Sequence, residues 1–460
     1  MATAVVTAIG AAHEAAVAAA LGQSTGVRLV RRCADVADLL AICTAGRADV
    51  AVLSADFHEL DRGVLSALRD AGVGIVGVHQ PGVEEEQRVL QQWGVRTQLP
   101  VTASAADFER AVQGVAESAA GGVGSSGATR DAGSVPDASD DPTVSLEAEL
   151  AALSDGGAPY LPRKPVVEQS FALPTPPVPD GPRETARIVT VWGPPGAPGR
   201  TVVAVNLAAE AARLGVPTVL VDADTHAASV AQHLALLDEA PGVAAATRLA
   251  DSGHLDVRSL AGVAPEVTPG LRVLSGLPRA DRWPEVRDDA LEAVLEQCRQ
   301  LGRLIVVDVA APLEQDEELS YDTAAPRRNA ATLAALGAAD TVLAVGSADP
   351  VGLQRLVRGL DELRGVISAT PWVVANRVRS SAVGSSPEQR VTEALQRFAG
   401  VTSPAIIPDD RAACDGALLA GQVLAEHAAG SVARKAIAQL AADLTGVTAT
   451  SRRSWFAGRR

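Results

Sequence analysis

The sequence contains little lysine and few aromatic residues. Only Lys164 and Lys435 are lysines among its 40 lysines and arginines, and aromatic residues make up 3% of the 460 positions. This bias towards arginine, together with abundant alanine, is typical of a GC-rich coding sequence. Mutational drift towards GC-rich codons replaces surface lysines with arginines freely. A lysine at a tight phosphate site resists it, because an ammonium and a guanidinium group differ in shape.

Cysteine is also scarce, and long apolar runs are absent. The four cysteines form no CxxC pair and no metal-ligand spacing; they are Cys33, Cys43, Cys298 and Cys414. We expect them to be small buried residues in a reducing cytoplasm. No uncharged apolar run reaches the roughly 20 residues of a membrane span. The N-terminus lacks the basic region and cleavage site of a signal peptide, so a soluble, cytoplasmic protein is expected.

Charge and length limit the remaining classes. The formal net charge is −15, and binding to nucleic-acid phosphates requires a clustered basic surface. We therefore expect no sequence-specific binding to nucleic acid. A chain of 460 residues is too long for one ordinary core, so two or more domains are predicted.

Residues 1–118 alternate short apolar strands with helical stretches, which predicts a flavodoxin-like parallel sheet. The strands are predicted at 3–9, 27–33, 49–55, 73–79 and 95–101. In outline this region resembles the receiver domain of response regulators. Its first strand is followed by Gly10 rather than an acidic pair, the acceptor position falls on Ser54 with Asp56 nearby, and no lysine ends the fifth strand. We predict a degenerate, receiver-like docking or dimerisation domain; an unrelated small α/β domain is the alternative.

Composition changes sharply after this region. Residues 119–185 are dominated by proline, glycine, serine and aspartate, a composition that buries too little apolar surface to fold alone. We predict a flexible linker there. Residues 447–460 form a basic-aromatic tail, in which four arginines surround Trp455 and Phe456. Two interpretations of this tail remain: it makes weak peripheral contact with an anionic membrane, or it is a frayed tail that increases solubility.

A second α/β pattern occupies residues 186–446 and predicts a doubly wound, largely parallel sheet. Strands are predicted at 187–192, 217–223, 271–276, 303–310, 340–347, 371–377 and 403–408. Helices are predicted at 201–214, 286–300, 328–337, 350–364, 387–398 and 430–445. Ligands of such sheets bind at the carboxyl ends of the strands.

The first strand of this pattern leads into a loop typical of phosphate binding. Residues 188–207 read as an apolar strand, a glycine- and proline-rich loop, and Gly199-Arg200-Thr201 at the start of an apolar helix. Phosphate loops combine backbone N–H groups, a lysine and a hydroxyl that holds Mg²⁺. Here Arg200 replaces the lysine, and the loop prolines donate no N–H. A plain turn between strand and helix is the alternative.

Three aspartates follow two of the other predicted strands. Asp222 and Asp224 end one strand, and Asp308 ends another. An aspartate in this position is the usual water-mediated anchor of Mg²⁺ beside a phosphate loop. Each one alone is also compatible with a helix cap or a turn. Their occurrence together after the loop favours a nucleotide site.

With these residues the segment 187–446 resembles the MinD/ParA superfamily of deviant-Walker-A P-loop ATPases. Within it, the chain resembles the CpaE/TadZ-like branch and the actinobacterial septum site-determining proteins, which join a receiver-like domain to a MinD-like domain. The family loop KGGxGK[ST] aligns its last three residues with Gly199, Arg200 and Thr201. Its signature lysine then falls on Pro195, and its glycine pair on Gly196 and Ala197.

The resemblance assigns further roles. Asp224 corresponds to the catalytic aspartate that helps orient water, and Asp308 to the Mg²⁺-side aspartate, which acts through water together with Thr201. Asn376 corresponds to the adenine-contacting asparagine, and Pro408 and Asp409 to the purine-side loop. ATP or ADP with Mg²⁺ is the implied cofactor. Because both family lysines are missing, we expect weak binding and at most very slow hydrolysis.

The implied function is that of a spatial regulator that positions septum-site cell-division machinery or Tad-type pilus machinery. A homodimer, protein partners from those assemblies and a cytoplasmic location, with peripheral contact at the inner face of the plasma membrane, belong to this expectation. A ParA-type partition ATPase and a nucleotide-independent pseudo-ATPase scaffold are the alternatives. A metabolic enzyme on the same fold is disfavoured, because the sequence offers no substrate-binding constellation. Arg327 and Arg328 are the nearest candidate substitutes for the missing lysines, but they are expected to form a solvated basic turn.

Overall fold

The computed structural model describes residues 2–121, 186–196, 199–236, 241–315 and 326–447. The predicted linker and tail lie outside these ranges from residue 122 to 185 and from residue 448 onward. No helix in the described ranges is both long and apolar enough to cross a membrane.

The first region, residues 2–121, contains one five-stranded sheet. Its strands are β1 (Thr3–Ala8), β2 (Val27–Arg32), β3 (Val50–Ser54), β4 (Gly74–His79) and β5 (Thr97–Pro100). They are parallel and lie in the order β2-β1-β3-β4-β5. The helices are α1 (Glu14–Gly22), α2 (Val36–Thr44), α3 (Arg62–Asp70), α4 (Glu84–Gln92) and α5 (Ala105–Gly121). This strand order is that of a flavodoxin-like fold, as predicted.

The second region, from residue 186 onward, contains an eight-stranded sheet in the order β13-β12-β11-β6-β10-β7-β9-β8. Its strands are β6 (Arg187–Trp192), β7 (Thr218–Ala223), β8 (Glu266–Thr268), β9 (Leu271–Leu274), β10 (Leu304–Val309), β11 (Thr341–Ser347), β12 (Trp372–Val378) and β13 (Ala405–Pro408). All neighbours are parallel except β8 and β9. The predicted doubly wound sheet is confirmed.

Helices accompany this sheet. They are α6 (Arg200–Arg213), α7 (Val230–His233), α8 (Gly242–Asp251), α9 (Val257–Val263), α10 (Asp288–Cys298), α11 (Ala330–Gly337), α12 (Pro350–Arg364), α13 (Ser380–Val383), α14 (Pro387–Ala399), α15 (Arg411–Ala420), α16 (Leu424–His427) and α17 (Val432–Thr445), with a 3₁₀ helix at Ala280–Glu285. The central strands are continuous apolar runs, and all six residues of β10 are buried. Parallel strands covered on both faces have this composition.

Several elements were missing from the sequence-based prediction. Helices α8, α9 and α15 and the antiparallel edge strand β8 were not predicted, whereas the predicted strands agree with the observed ones to within two residues at each end. Strand β8 is only three residues long and depends on pairing with β9. Local pattern is weak in so short a strand.

Polar contacts secure the helices to their neighbours. The carboxylate of Glu210 on α6 is buried and accepts hydrogen bonds of 2.5 and 2.8 Å from the guanidinium of Arg434 on α17. The two regions also contact each other, since the Trp93 indole N–H donates to the Asp251 carbonyl oxygen at 3.0 Å. A second contact joins Arg287 and Asp61 at 3.0 Å.

Candidate functional site

The loop after β6 carries the residues predicted to bind phosphate. Gly199 is the N-cap of α6 and has φ +94°, a left-handed conformation that favours glycine. Gly196, at φ +74°, is also left-handed. Ala197, the second predicted glycine-pair position, lies outside the described residues. The first backbone N–H groups of a helix have no partner within the helix, so the start of α6, at the carboxyl edge of the sheet, favours an anion.

The side chain of Thr201 joins the loop to the adjacent strand β10. Its hydroxyl donates a 2.6 Å hydrogen bond to Oδ2 of Asp308. The Ser229 hydroxyl, which sequence reasoning did not identify, donates to Thr201 Oγ1 at 3.4 Å. Asp308 is 1% exposed, and its Oδ1 atom is buried without a hydrogen-bond partner among the described residues. A buried carboxylate oxygen without a donor is costly unless a ligand completes it.

These two residues fit a magnesium ion held as the resemblance implies. Mg²⁺ prefers oxygen ligands and is usually held by one or two carboxylates together with water and phosphate. The Thr201 hydroxyl and Oδ1 of Asp308, which has no hydrogen-bond partner among the described residues, provide such oxygen ligands beside the start of α6. No group of three or more His, Cys, Asp or Glu residues placed to hold a metal occurs in the described part of the chain.

Two buried carboxyl groups lie next to each other beneath the loop. Asp308 on β10 and Asp222 on β7 are partners in the parallel register, and each is 1% exposed. Burial raises the pKa of both carboxyl groups, and the charge of Asp308 raises the pKa of Asp222 further. Hydrogen bonding by Thr201 acts in the opposite direction on the pKa of Asp308. Oδ2 of Asp222 accepts the N–H groups of Ser229 and Val230, each at 3.0 Å, so it also orders the chain entering α7.

Asp224, predicted to orient water, is turned inward. It is 3% exposed, and its Oδ1 accepts the backbone N–H groups of His226 and Ala227 at 2.9 and 2.8 Å. Its Oδ2 accepts a hydrogen bond of 3.3 Å from Nη2 of Arg200. Nη1 of Arg200 donates to the Gly193 carbonyl oxygen at 3.0 Å. Arg200, which occupies the lysine position, thus donates its hydrogen bonds to acceptors in its own loop and at the end of β7.

Asn376, predicted to contact adenine, lies beside the loop. It ends the register between β12 and β11, opposite Ser347, and is buried. Its Nδ2 atom is 2.4 Å from the position that a Cβ on Gly199 would occupy. The next residue, Arg377, has φ +58°, an uncommon conformation for a residue with a side chain. Its N–H donates to Asn376 Oδ1 at 2.9 Å, which fixes the orientation of that amide.

Pro408 and Asp409 lie at the edge of the sheet. Pro408 ends β13, and the N–H of Asp409 donates to the Val378 carbonyl oxygen of β12 at 3.0 Å. Asp410 begins α15 by accepting the N–H of Ala413. The structure thus places the predicted purine-side loop next to the strand of Asn376. The other predicted site residues lie around the loop itself; they are Thr201, Asp308, Arg200, Asp224 and Asn376.

Arg328 differs from the expected solvated turn. Its guanidinium donates to the hydroxyl and the carbonyl oxygen of Thr225, at 3.1 and 3.3 Å, and lies 5.4 Å from the ring centroid of Trp283. It is half-buried, because these contacts hold it against the segment after β7. Arg327 is exposed and pairs with Asp288 at 2.8 Å. The prediction of a solvated turn is wrong for Arg328.

Another cation, missed in the sequence, lies at the loop. Nη1 of Arg355, on α12, is 3.5 Å from the Pro195 carbonyl oxygen. It is also 2.3 Å from the position that a Cβ on Gly196 would occupy. Sequence reasoning missed Arg355 because it is one of several arginines on an amphipathic helix 155 positions after Arg200, and the local pattern does not show which of them faces the loop.

The second region is similar to known proteins. Residues 189–417 match the family described as the CobQ/CobB/MinD/ParA nucleotide binding domain. No curated protein matches the chain. Among solved structures, a ParA family ATPase from Chlorobium tepidum is 17% identical, with 55% of this chain and 98% of that chain covered and a TM-score of 0.46. The cell division ATPase MinD of Pyrococcus furiosus is 19% identical, with 57% and 100% covered and a TM-score of 0.46. A chain of the MinC:MinD cell division protein complex of Aquifex aeolicus is 16% identical, with 58% of this chain and 99% of that chain covered and a TM-score of 0.43.

Proposed function

We propose that residues 189–417, which carry a nucleotide binding domain of the CobQ/CobB/MinD/ParA superfamily, bind an adenine nucleotide with Mg²⁺ and hydrolyse it very slowly. The observation that carries the proposal is the pair Thr201–Asp308. A 2.6 Å hydrogen bond holds the carboxylate in place, and its second oxygen is buried without a partner among the described residues. A Mg²⁺ ion, or a water molecule bound to it, would be the missing partner of that oxygen.

The proposed nucleotide lies along the carboxyl edge of the sheet. Thr201 and Asp308 would hold Mg²⁺, which would neutralise phosphate charge. Gly196 and Gly199 adopt left-handed conformations in the loop, and the N–H groups at the start of α6 would bind the phosphates. The adenine base would lie at the other side of the site, against Asn376, which is beside Gly199, and the strand-end residues Pro408 and Asp409.

Slow hydrolysis follows from how the remaining polar groups are used. Asp224 accepts three hydrogen bonds from the protein, including one from Arg200, so neither side chain is poised for an incoming phosphate or water. Pro194 and Pro195 have no N–H to donate. Loss of one well-placed donor at a developing charge typically lowers a rate by about 10²–10³.

The cellular role we propose is that of a nucleotide-responsive spatial regulator that acts as a homodimer. It positions cell-division or pilus machinery through protein partners. A partition ATPase is less compatible with the net charge of −15. The second candidate is a nucleotide-independent scaffold, which the internal ion pair between Arg200 and Asp224 favours, since it provides the loop with a closed state that needs no ligand.

Calorimetry and a turnover assay on the full chain test the proposal together. ATP with Mg²⁺ should bind, and Thr201→Ala and Asp308→Ala should each weaken binding about tenfold or more. Thr392→Ala is the matched control, because its hydroxyl donates to Glu388 O within α14 and has no part in the site. Turnover should remain well below about 1 s⁻¹. Ordinary turnover would overturn slow hydrolysis, and absence of binding would favour the scaffold.

A further inference from the structure

The position of helix α12 relative to the loop follows from strand pairing. Strand β11 pairs in parallel with β6, from Thr341 opposite Val189 to Ala344 opposite Trp192. The chain leaves β11 at the carboxyl edge and begins α12 after Asp349, whose Oδ1 accepts the N–H of Gly352 at 2.9 Å. The first turns of α12 therefore start at the edge of the sheet to which the phosphate loop also belongs.

A close contact brings one face of α12 onto the loop. A Cβ on Gly359 would lie 3.0 Å from both the Trp192 ring and Cβ of Pro194, so a larger residue would separate helix and loop. Residues four apart share a helix face. Arg355, four residues before Gly359, is consequently directed at Pro195 and Gly196, the loop residues that follow Pro194. This agrees with the observed contact of 3.5 Å between Nη1 and the Pro195 carbonyl oxygen.

The guanidinium of Arg355 is available to an anion. It is exposed, and none of the described residues forms an ion pair with it. The helix positions three and four residues away are Val351, Gly352, Arg358 and Gly359, which contain no carboxylate. The one hydrogen bond that it makes to a described residue is at the long limit of such bonds. Exchanging that bond for a phosphate oxygen costs little.

Arg200, the cation that the loop sequence suggests, is in the opposite situation. Its side chain is 17% exposed and bonded to the Gly193 carbonyl oxygen and the Asp224 carboxylate. Moving it to a phosphate would leave the 3% exposed Asp224 side chain without its ion-pair partner, which is unfavourable for a buried charge.

We infer that Arg355 supplies the phosphate-binding cation of this loop from helix α12 of the same chain. Its ligand is the polyphosphate of a nucleotide, whose oxygens a guanidinium can bind through two N–H groups. The inference rests on the proposed nucleotide site and assigns to it a residue that the loop sequence does not contain.

Titration of the full chain with ATP and Mg²⁺, and with inorganic triphosphate as a probe without a base, tests this role. Arg355→Ala should weaken binding of ATP and of triphosphate about tenfold or more, and Arg355→Lys should retain part of the affinity. Arg358→Ala is the matched control. It removes an exposed arginine from the same helix that has no hydrogen bond or ion pair among the described residues, and affinity should change less than twofold. Thermal unfolding of each variant checks that the fold is intact.

The outcomes separate the inference from the proposal beneath it. If Thr201→Ala weakens ATP binding and Arg355→Ala does not, the nucleotide site stands and the inference is wrong. An equal loss in Arg355→Ala and Arg358→Ala would show a general charge effect and would also overturn it. If the unmodified chain binds neither ATP nor triphosphate, the proposed function fails and the inference fails with it.

Discussion

Arg200 and Asp224 form an ion pair between the phosphate loop and the end of β7, with Nη2 of the arginine 3.3 Å from Oδ2 of the aspartate. Both side chains are largely withdrawn from solvent, at 17% and 3% exposure. The arginine at the lysine position of a phosphate loop thus closes the loop onto the protein. This arrangement has consequences for stability as well as for ligand binding.

Removal of the arginine should destabilise the protein. In Arg200→Ala the Asp224 carboxylate stays buried, and among the described residues it keeps only the N–H groups of His226 and Ala227 as donors. We expect the free energy of unfolding to fall by about 1–3 kcal/mol in urea denaturation. Arg411→Ala is the control, since its pair with Asp415 is exposed and should contribute less than about 0.5 kcal/mol. Equal effects would show that the buried pair is not stabilising.

Stability should depend on pH through Asp251, whose backbone accepts the Trp93 indole. Burial raises the pKa of the Asp251 carboxyl to about 6, and its Oδ1 has no partner among the described residues. A raised folded-state pKa favours folding while the group is protonated, and this contribution is lost as pH rises from about 4 through about 6. Asp251→Asn should therefore gain stability relative to the unmodified chain over that window.

Thermal unfolding midpoints between pH 4 and pH 7.5 measure this difference. Asp70→Asn, at an exposed position, is the control and should show a difference that does not vary with pH. A constant difference for Asp251→Asn as well would contradict the predicted role of that carboxyl.

The receiver-like region should not act as a phosphorylation switch. The hydroxyl of Ser54, at the acceptor position, donates to Oδ1 of Asp56 at 2.5 Å and accepts the N–H of Gly10 at 2.8 Å. A Cβ on Gly10 would lie 2.0 Å from Oδ2 of Asp56, so the carboxylate fills the space beside the first strand. Acetyl phosphate or beryllofluoride with Mg²⁺ should leave the spectrum of the protein unchanged. A stoichiometric adduct on Asp56 in mass spectrometry would overturn this prediction.

The basic-aromatic tail, which lies outside the described residues, is tested by liposome binding. Arginines attract anionic headgroups at roughly 1 kcal/mol each, and Trp455 and Phe456 provide the only large apolar side chains. If the tail contacts membrane, the full chain should co-sediment with anionic vesicles more than a chain ending at Thr450, and salt should weaken the difference. Equal sedimentation of the two chains would mean that the tail is not an anchor.

The sequence predicted the parts of the site that depend on local pattern. Strands β6, β7 and β10 are apolar runs, and the residues that follow or end them, Thr201, Asp224 and Asp308, meet at one sheet edge because parallel strands share their direction. Asn376 lies beside Gly199. Whether these residues bind nucleotide stays a prediction.

By itself, then, the sequence determined the two α/β regions, the strand-to-helix loop with arginine in place of lysine, and the acidic strand ends, because periodicity and motif spacing are local properties. Tertiary structure decided what each charge does. Arg200 pairs with Asp224, because β7 lies two strands from β6 in the sheet and its end reaches the start of α6. Arg355 reaches the loop because β11 pairs with β6 and Gly359 admits close packing. The two contacts span 24 and 160 positions of the chain, and the order of strands and the packing of α12 bring these residues together.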